Sequence, residues 1–295
     1  MSRPEYRLEP CKSALTAVRR MPFKWSLNPY MGCVHRCTFC YVRHFEQRAD
    51  RPSGERYGRS IRVKPNIAEV LRRELARPSW QREEVAMGTA TDPYQPAEGR
   101  FRLTRACIGE LAASATPFSI VTRGPLVVRD VDVLAEAARE VTVAVYISLP
   151  TLDLDVWRST EPGTAPPSSR LRAIRTLADA GIDVGVGMAP ILPGLSDRPE
   201  QLETVVRAAR EAGARTIWAG VVRLRQGVRE HFLEALGRDW PEHVEHGSAL
   251  RDPRIPSDLG RESITAPAHL AGSSTRSLRR TTPLRPEPRQ LALSI

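Results

Sequence analysis

Short, continuously apolar runs alternate along this chain with stretches of helical period. The runs cover residues 25–27, 85–87, 118–121, 141–147, 184–188 and 217–222. A half-wetted antiparallel strand would alternate apolar with polar, so continuous runs predict strands buried on both faces of a parallel sheet. Between them, Ile67, Val70, Leu71 and Leu75 fall on one helical face, with Asn66 as the expected cap and Glu69 three residues on as in a capping box. Thr104 opens a helix that turns Ile108, Leu111, Ala112 and Ala115 inward. The helix over residues 130–140 does the same with Val131, Leu134, Ala137 and Ala138. Ser168 caps a helix with Leu171, Ile174 and Leu177 at spacings of three, stopped at Gly181. Further helices are expected from Pro199 to Gly213 and over residues 228–236. Six strands, each followed by a helix, predict an α/β fold. Sites in such folds lie at the carboxyl ends of the strands.

The ends of the chain read differently. Residues 1–22 look like an irregular lead-in, residues 23–247 hold the alternating pattern, and residues 248–295 are a basic tail rich in Pro, Ser and Arg with no apolar period, expected to be disordered. No apolar run approaches the roughly 18 residues of a membrane span. The first residues carry charge and no apolar signal core, so a cytoplasmic protein without a membrane partner is expected. Net charge is +10, yet all but Lys12, Lys24 and Lys64 of the 44 basic residues are arginine. That bias is what a GC-rich coding sequence gives unselected, so the charge permits nucleic-acid contact without demonstrating it.

Chemistry concentrates after the first strand. Cys33, Cys37 and Cys40, three of the five cysteines, follow Asn28-Pro29-Tyr30-Met31-Gly32 at the spacing Cys-x3-Cys-x2-Cys. Three clustered thiolates suit one soft metal centre. A structural zinc closes with four ligands, whereas an iron-sulfur cubane can be held by three thiolates with one iron left open. A zinc site with His35 or His44 as fourth ligand, in a non-catalytic binding protein using its basic surface and tail, is the competing reading. Otherwise His35 is an ordinary solvated loop residue. Cys11 and Cys107 stand alone and read as small packed hydrophobes. Loops rich in Gly, Pro and hydroxyls follow the later strands, among them residues 88–98, a shaped turn, and residues 161–167, too proline-rich for a helix.

The triplet, with Phe39 just before its last cysteine, resembles the cluster motif of the radical S-adenosylmethionine (SAM) superfamily. Four longer stretches are similar to its spore photoproduct lyase-like, or DNA-repair-photolyase-like, branch: residues 28–33, 88–98, 161–170 and 189–197. The resemblance spans roughly residues 20–240. It implies an open partial (β/α)6 barrel of the TIM type with a parallel sheet, and a [4Fe-4S] cluster on Cys33, Cys37 and Cys40. It also implies reductive cleavage of SAM to a 5′-deoxyadenosyl radical that abstracts hydrogen, and a reductant such as a ferredoxin or flavodoxin.

By the same resemblance Phe39 and Tyr41 flank the adenine and ribose side of SAM, and Thr91 and Asp92 stand where the branch has a Ser-Asp pair contacting it. Arg123 occupies the position of a Lys that meets the SAM carboxylate, a task that suits a guanidinium fork. Ser148 faces the ribose and Ala189 lies along the adenine. One position departs from the pattern. The lyase returns a hydrogen atom from a Cys after the second strand, where this chain has Thr89 and Ala90, so the lyase reaction itself is not implied unless Cys107 reaches the cavity, while an enzyme of this branch acting on a nucleic-acid substrate stays the alternative that the resemblance and the net charge jointly suggest.

Overall fold

The computed structural model describes residues 4–19 and 21–244. The tail expected over residues 248–295 lies outside them. Six parallel strands carry the fold: β3 (Trp25–Leu27), β6 (Val85–Met87), β7 (Phe118–Thr122), β8 (Val143–Ser148), β9 (Asp183–Ile191) and β10 (Thr216–Val221). They pair in chain order, and β2 (Leu15–Ala17) adds antiparallel to β3. Chain-order pairing means that each connection crosses over the same face and lands one strand further along, the winding of a barrel rather than of a sheet wound from its middle. The sheet begins at β2 and ends at β10, and these two edges do not pair. The barrel is therefore partial and open, as expected.

The helices follow from the apolar spacing. α2 (Ile67–Leu75) buries Ile67, Val70 and Leu71 at 0–3% exposure. Each such side chain contributes about 1.5–3 kcal/mol by leaving water. α4 (Leu103–Ala113) buries Cys107, Ile108 and Leu111, and α5 (Val131–Glu140) buries Leu134 and Ala137. α7 (Pro167–Asp179) and α8 (Pro199–Glu211) complete the outer layer, both starting on a proline, whose missing N–H costs nothing in a first turn. α9 (Val228–Asp239) packs against α6 (Leu154–Thr160).

Four expectations are corrected. The lead-in carries two strands, β1 (Glu5–Leu8) as well as β2. β1 pairs parallel to β5 (Ser60–Val63), which also takes β4 (Tyr30–Met31), and this second sheet packs Tyr30, Ile61, Val63 and Ala97 together. Asn66 does not cap α2 with its side chain. Its amide instead accepts from the Cys11 N–H at 2.8 Å and donates to the Cys11 carbonyl at 3.0 Å, fastening the lead-in to the barrel. The turn over residues 88–98 ends in a helix, α3 (Pro96–Phe101), again with proline in its first turn. Finally, β9 runs on through Ala189 and Pro190, so Ala189 stands within the strand rather than just beyond it.

Candidate functional site

Short connections bring the strand ends into one region. Gly88, directly after β6, has φ +93°, and a Cβ there would stand 2.3 Å from the Val121 carbonyl. Only glycine permits that turn, which delivers Thr89, Thr91 and Asp92 to the ends of the neighbouring strands. The Thr89 hydroxyl meets Ser26 at 2.5 Å, and Asn28 donates to both. Tyr41 donates to the Thr89 carbonyl. The loop after β6 is thus tied to the start and the end of the cysteine loop.

Thr91 and Gln95 fasten the same two loops. The Thr91 hydroxyl donates to the Gly32 carbonyl at 2.6 Å, and Gln95 Nε2 donates to Gly32 at 3.0 Å and to Thr91 at 2.8 Å. Gln95 Oε1 accepts from the Val34 N–H at 3.2 Å. From the other side Gly163 backs onto the cysteine loop so closely that a Cβ would stand 2.3 Å from the Val34 carbonyl.

Asp92 is 7% exposed and accepts from the Tyr94 N–H, the Thr122 hydroxyl and the Arg123 N–H at 2.9, 2.6 and 2.7 Å. Its second oxygen lies 3.2 Å from His35 Nδ1. That contact is a pairing of charges, because no aligned hydrogen bond forms at Nδ1. Burial would raise the Asp92 carboxyl, but the His35 charge and the donated hydrogen bonds outweigh it and hold the group at about 2. His35 is itself buried, which by itself would lower it. The Cys33 sulfur and Asp92 beside it raise it to about 10. The loop histidine expected to be solvated is therefore part of the site.

A pH dependence follows. Below its ordinary value of 3.8 the unfolded Asp92 takes up a proton that the folded carboxylate resists down to about 2. Its contribution to stability is complete above 3.8 and is lost as the pH falls through 2. The shift is worth about 2 kcal/mol. Urea midpoints measured between about pH 5 and pH 2 are expected to fall by less in Asp92→Asn than in the parent chain, an equal fall excluding this role.

Arg123, at the end of β7, joins most of the site. Its guanidinium lies 5.4 Å from the centre of the Phe39 ring, Nη1 donates to Glu161 Oε1 at 2.5 Å, and Nη2 reaches the Ala189 carbonyl at 3.4 Å. Glu161, 1% exposed, also accepts from Arg170 at 2.6 Å, and Arg170 donates on to the Ser148 carbonyl at 3.0 Å. Burial pushes the Glu161 carboxyl up, and the two guanidiniums more than reverse it. Among the expected site residues, Phe39, Asp92, Arg123, Ser148 and Ala189 thus belong to one connected set, and Thr91 and Tyr41 hold the loops that frame it. Glu161 and Arg170 were given no role by the sequence.

The donor set suits an iron-sulfur cluster. Cys33 and Cys37 are buried, and Cys40 touches both small apolar groups, one with Cys33, Val42 and Tyr57 and one with Cys37, Phe39 and Phe232. Burial raises the Cys37 and Cys40 thiols, and the charge of the other cysteines raises them further. Three thiolates together would concentrate negative charge that a cationic cluster neutralises. The Nδ1 of His35 is paired with Asp92, and His44 Nδ1 lies 3.2 Å from the Gln226 carbonyl. Among the described residues no three His, Cys, Asp or Glu side chains, the cysteine triplet included, are gathered closely enough to hold a metal ion as they stand. Cys11 and Cys107 belong to the main core, apart from the triplet.

The model of the Radical SAM superfamily matches residues 27–209. An uncharacterized protein of Mycobacterium tuberculosis is 43% identical over 251 residues, covering 83% of this chain and 74% of its own. An uncharacterized protein of Acidianus two-tailed virus is 30% identical over 225 residues, covering 72% of this chain and 71% of its own. Among solved structures, a doubly substituted spore photoproduct lyase with bound AdoMet and dinucleoside spore photoproduct superposes with a TM-score of 0.58 at 17% identity. Spore photoproduct lyase complexed with dinucleoside spore photoproduct gives 0.60 at 16%. Each match covers 80% of this chain but only 66% of the lyase, and the likeness is one of fold.

Proposed function

The chain belongs to the radical SAM superfamily, and from that premise we propose that it holds one [4Fe-4S] cluster on Cys33, Cys37 and Cys40 and abstracts hydrogen from a substrate. Membership implies reductive cleavage of SAM with an iron-sulfur cluster. Held by Cys33, Cys37 and Cys40, the cluster would supply the electron for that cleavage and so the hydrogen-abstracting chemistry.

The chain's own residues then have separable tasks. Arg123 is aimed by Glu161, while its Nη2 makes only the 3.4 Å contact to Ala189. A carboxylate would replace that contact with a shorter, charge-assisted one, so Arg123 is assigned to the SAM carboxylate. Phe39 under the guanidinium keeps it from turning away. Asp92 fixes Arg123 through its backbone and balances His35 next to Cys33. Thr91, with its hydroxyl on Gly32, sets the height of the cysteine loop. Ser148, the last residue of β8, and Ala189, within the neighbouring β9, are assigned to the nucleoside side of SAM, as are Tyr41 and Phe39. The gap between β2 and β10 gives a substrate its lateral entrance, and a ferredoxin or flavodoxin is the reductant that this chemistry requires.

Hydrogen return to substrate by a thiol finds no support here. Cys107 is fully buried in the main core with Ile108 and Leu111, and of Thr89 and Ala90, which stand in place of the donor cysteine, neither carries a thiol, the Thr89 hydroxyl being bonded to Ser26. The observation that carries the reading is the convergence on Arg123 of Phe39, Asp92, Glu161 and Ala189. The test is anaerobic reconstitution with iron and sulfide, expected to give about four irons per chain and, after reduction with SAM present, 5′-deoxyadenosine. A chain that instead retains one zinc and releases no such product overturns it.

A further inference from the structure

A cavity of about 760 Å³ opens on the outer side of the cysteine loop, between that loop, α6 and α9. Asp92, Arg123, Ser148 and Ala189 are not part of its wall, so it is separate from the region proposed for SAM. Arg36 and Thr38, which flank Cys37 in the chain, line it together with Arg43 of α1 (Val42–Arg48).

The charges at its inner end are not balanced by carboxylates. Arg43 is 1% exposed, lies 4.4 Å from the Tyr57 ring centre, and donates to the carbonyls of Ser53, Gly54, Arg36 and Cys37 at 2.6, 2.8, 3.2 and 3.3 Å. Arg36 donates from Nη2 to the Glu55 carbonyl at 3.1 Å, while its Nε is buried with no hydrogen-bond partner among the described residues. Two of the acids in the wall, Asp155 and Asp239, are already paired with Arg158 and Arg238 at 3.0 and 2.6 Å. Glu55 and Glu234 are exposed. His231 feels the same imbalance: burial first, then Arg43, Arg238 and Arg36, push its imidazole down to about 4.

Carbonyl dipoles solvate a buried guanidinium without cancelling its charge, and an unpaired buried donor costs free energy. An anion with several acceptor oxygens would balance that charge, and arginine is the side chain best suited to phosphate. The volume is that of a small-molecule site. We propose that this cavity binds a phosphate group, with Arg36 and Arg43 as its cationic wall and Thr38 and His231 beside it. The proposal does not depend on SAM cleavage, and either can fail alone. The phosphate belongs to a free phosphorylated compound or to a nucleic-acid strand, two sources that the experiment separates.

The experiment is calorimetric titration of the cluster-loaded full chain with inorganic phosphate, followed by anisotropy of a fluorescent single-stranded DNA oligomer with and without phosphate. Saturable binding of one phosphate per chain is expected, weakened about tenfold or more in Arg36→Gln. Arg238→Gln, on the exposed face of α9, serves as a second variant that leaves the cysteine loop intact, and several-fold weakening is expected there. Oligomer binding displaced by phosphate assigns the site to a nucleic-acid backbone, and phosphate binding without such competition assigns it to a free compound. Absence of saturable phosphate binding, or binding indifferent to both substitutions, overturns the proposal.

Discussion

Cys37→Ser is expected to lose nearly all reconstituted iron while the cluster-free chain remains folded. Serine has almost the volume of cysteine, but its hydroxyl stays protonated where a thiolate is needed to bind iron. Cys37 packs in a satellite group with Phe39, Val156 and Phe232 rather than in the main core, so the exchange removes little packing. Its cost in stability should stay near about 1 kcal/mol. Cys107 provides the internal comparison, since it is 0% exposed within the main core, between elements that hold the sheet. Cys107→Ser buries a hydroxyl there and is expected to cost about 1–3 kcal/mol with no change in iron content. Iron and sulfide assays with urea melts on both variants separate ligation from packing. Full iron in Cys37→Ser would remove that cysteine from the ligand set.

Five of the six parallel strands could be read from the sequence because strands covered on both faces lack the polar alternation of a half-wetted strand, whereas β10, at the sheet edge, showed as an apolar run although none of its residues is fully buried. The second sheet obeys no such rule. In β5, Ser60-Ile61-Arg62-Val63, burial alternates, and with only two apolar residues inside an arginine-rich segment it forms no run. β1 is exposed at three of its four positions, so only its backbone pairing to β5 makes it a strand. Asn66 shows the limit of a local rule. The capping-box spacing is present, but Cys11, 55 residues away, takes both ends of the amide. Within the site, the cysteine triplet was legible because its ligands are close in the chain. The His35 contact with Asp92 was not, since a polar residue between two ligands looks the same in sequence whether it points to water or to a carboxylate. Glu161 and Arg170 stand on either side of a proline-rich turn, and nothing in their nine-residue spacing says that both are buried. The sign available was that both lie in residues 161–170, one of the stretches similar to the spore photoproduct lyase-like branch.

Glu161→Gln is expected to destabilise the chain by about 3–5 kcal/mol, because breaking a buried ion pair from one side leaves its partners charged and uncompensated. Here the acid is 1% exposed and has two partners, Arg123 with a side chain 17% exposed and Arg170 at 1%. A glutamine amide of the same shape offers one acceptor oxygen where the carboxylate offers two, and no charge. The two arginines should not respond equally. Arg170 keeps its bonds to the Ala165 and Ser148 carbonyls and to Thr164, whereas Arg123 keeps only the long contact to Ala189 and the face of Phe39. Arg123 is therefore the group released, and SAM should bind about tenfold or more weakly to the variant even where it remains folded. Equilibrium dialysis of SAM against the cluster-loaded protein reads this effect, and urea melts read the stability. The exposed pair of Glu5 and Arg7 provides the contrast: both side chains are 59% exposed, and water screens their attraction. Glu5→Gln should leave both the urea midpoint and SAM binding where they were. If Glu161→Gln behaves as Glu5→Gln does, the buried carboxylate holds neither the fold nor Arg123.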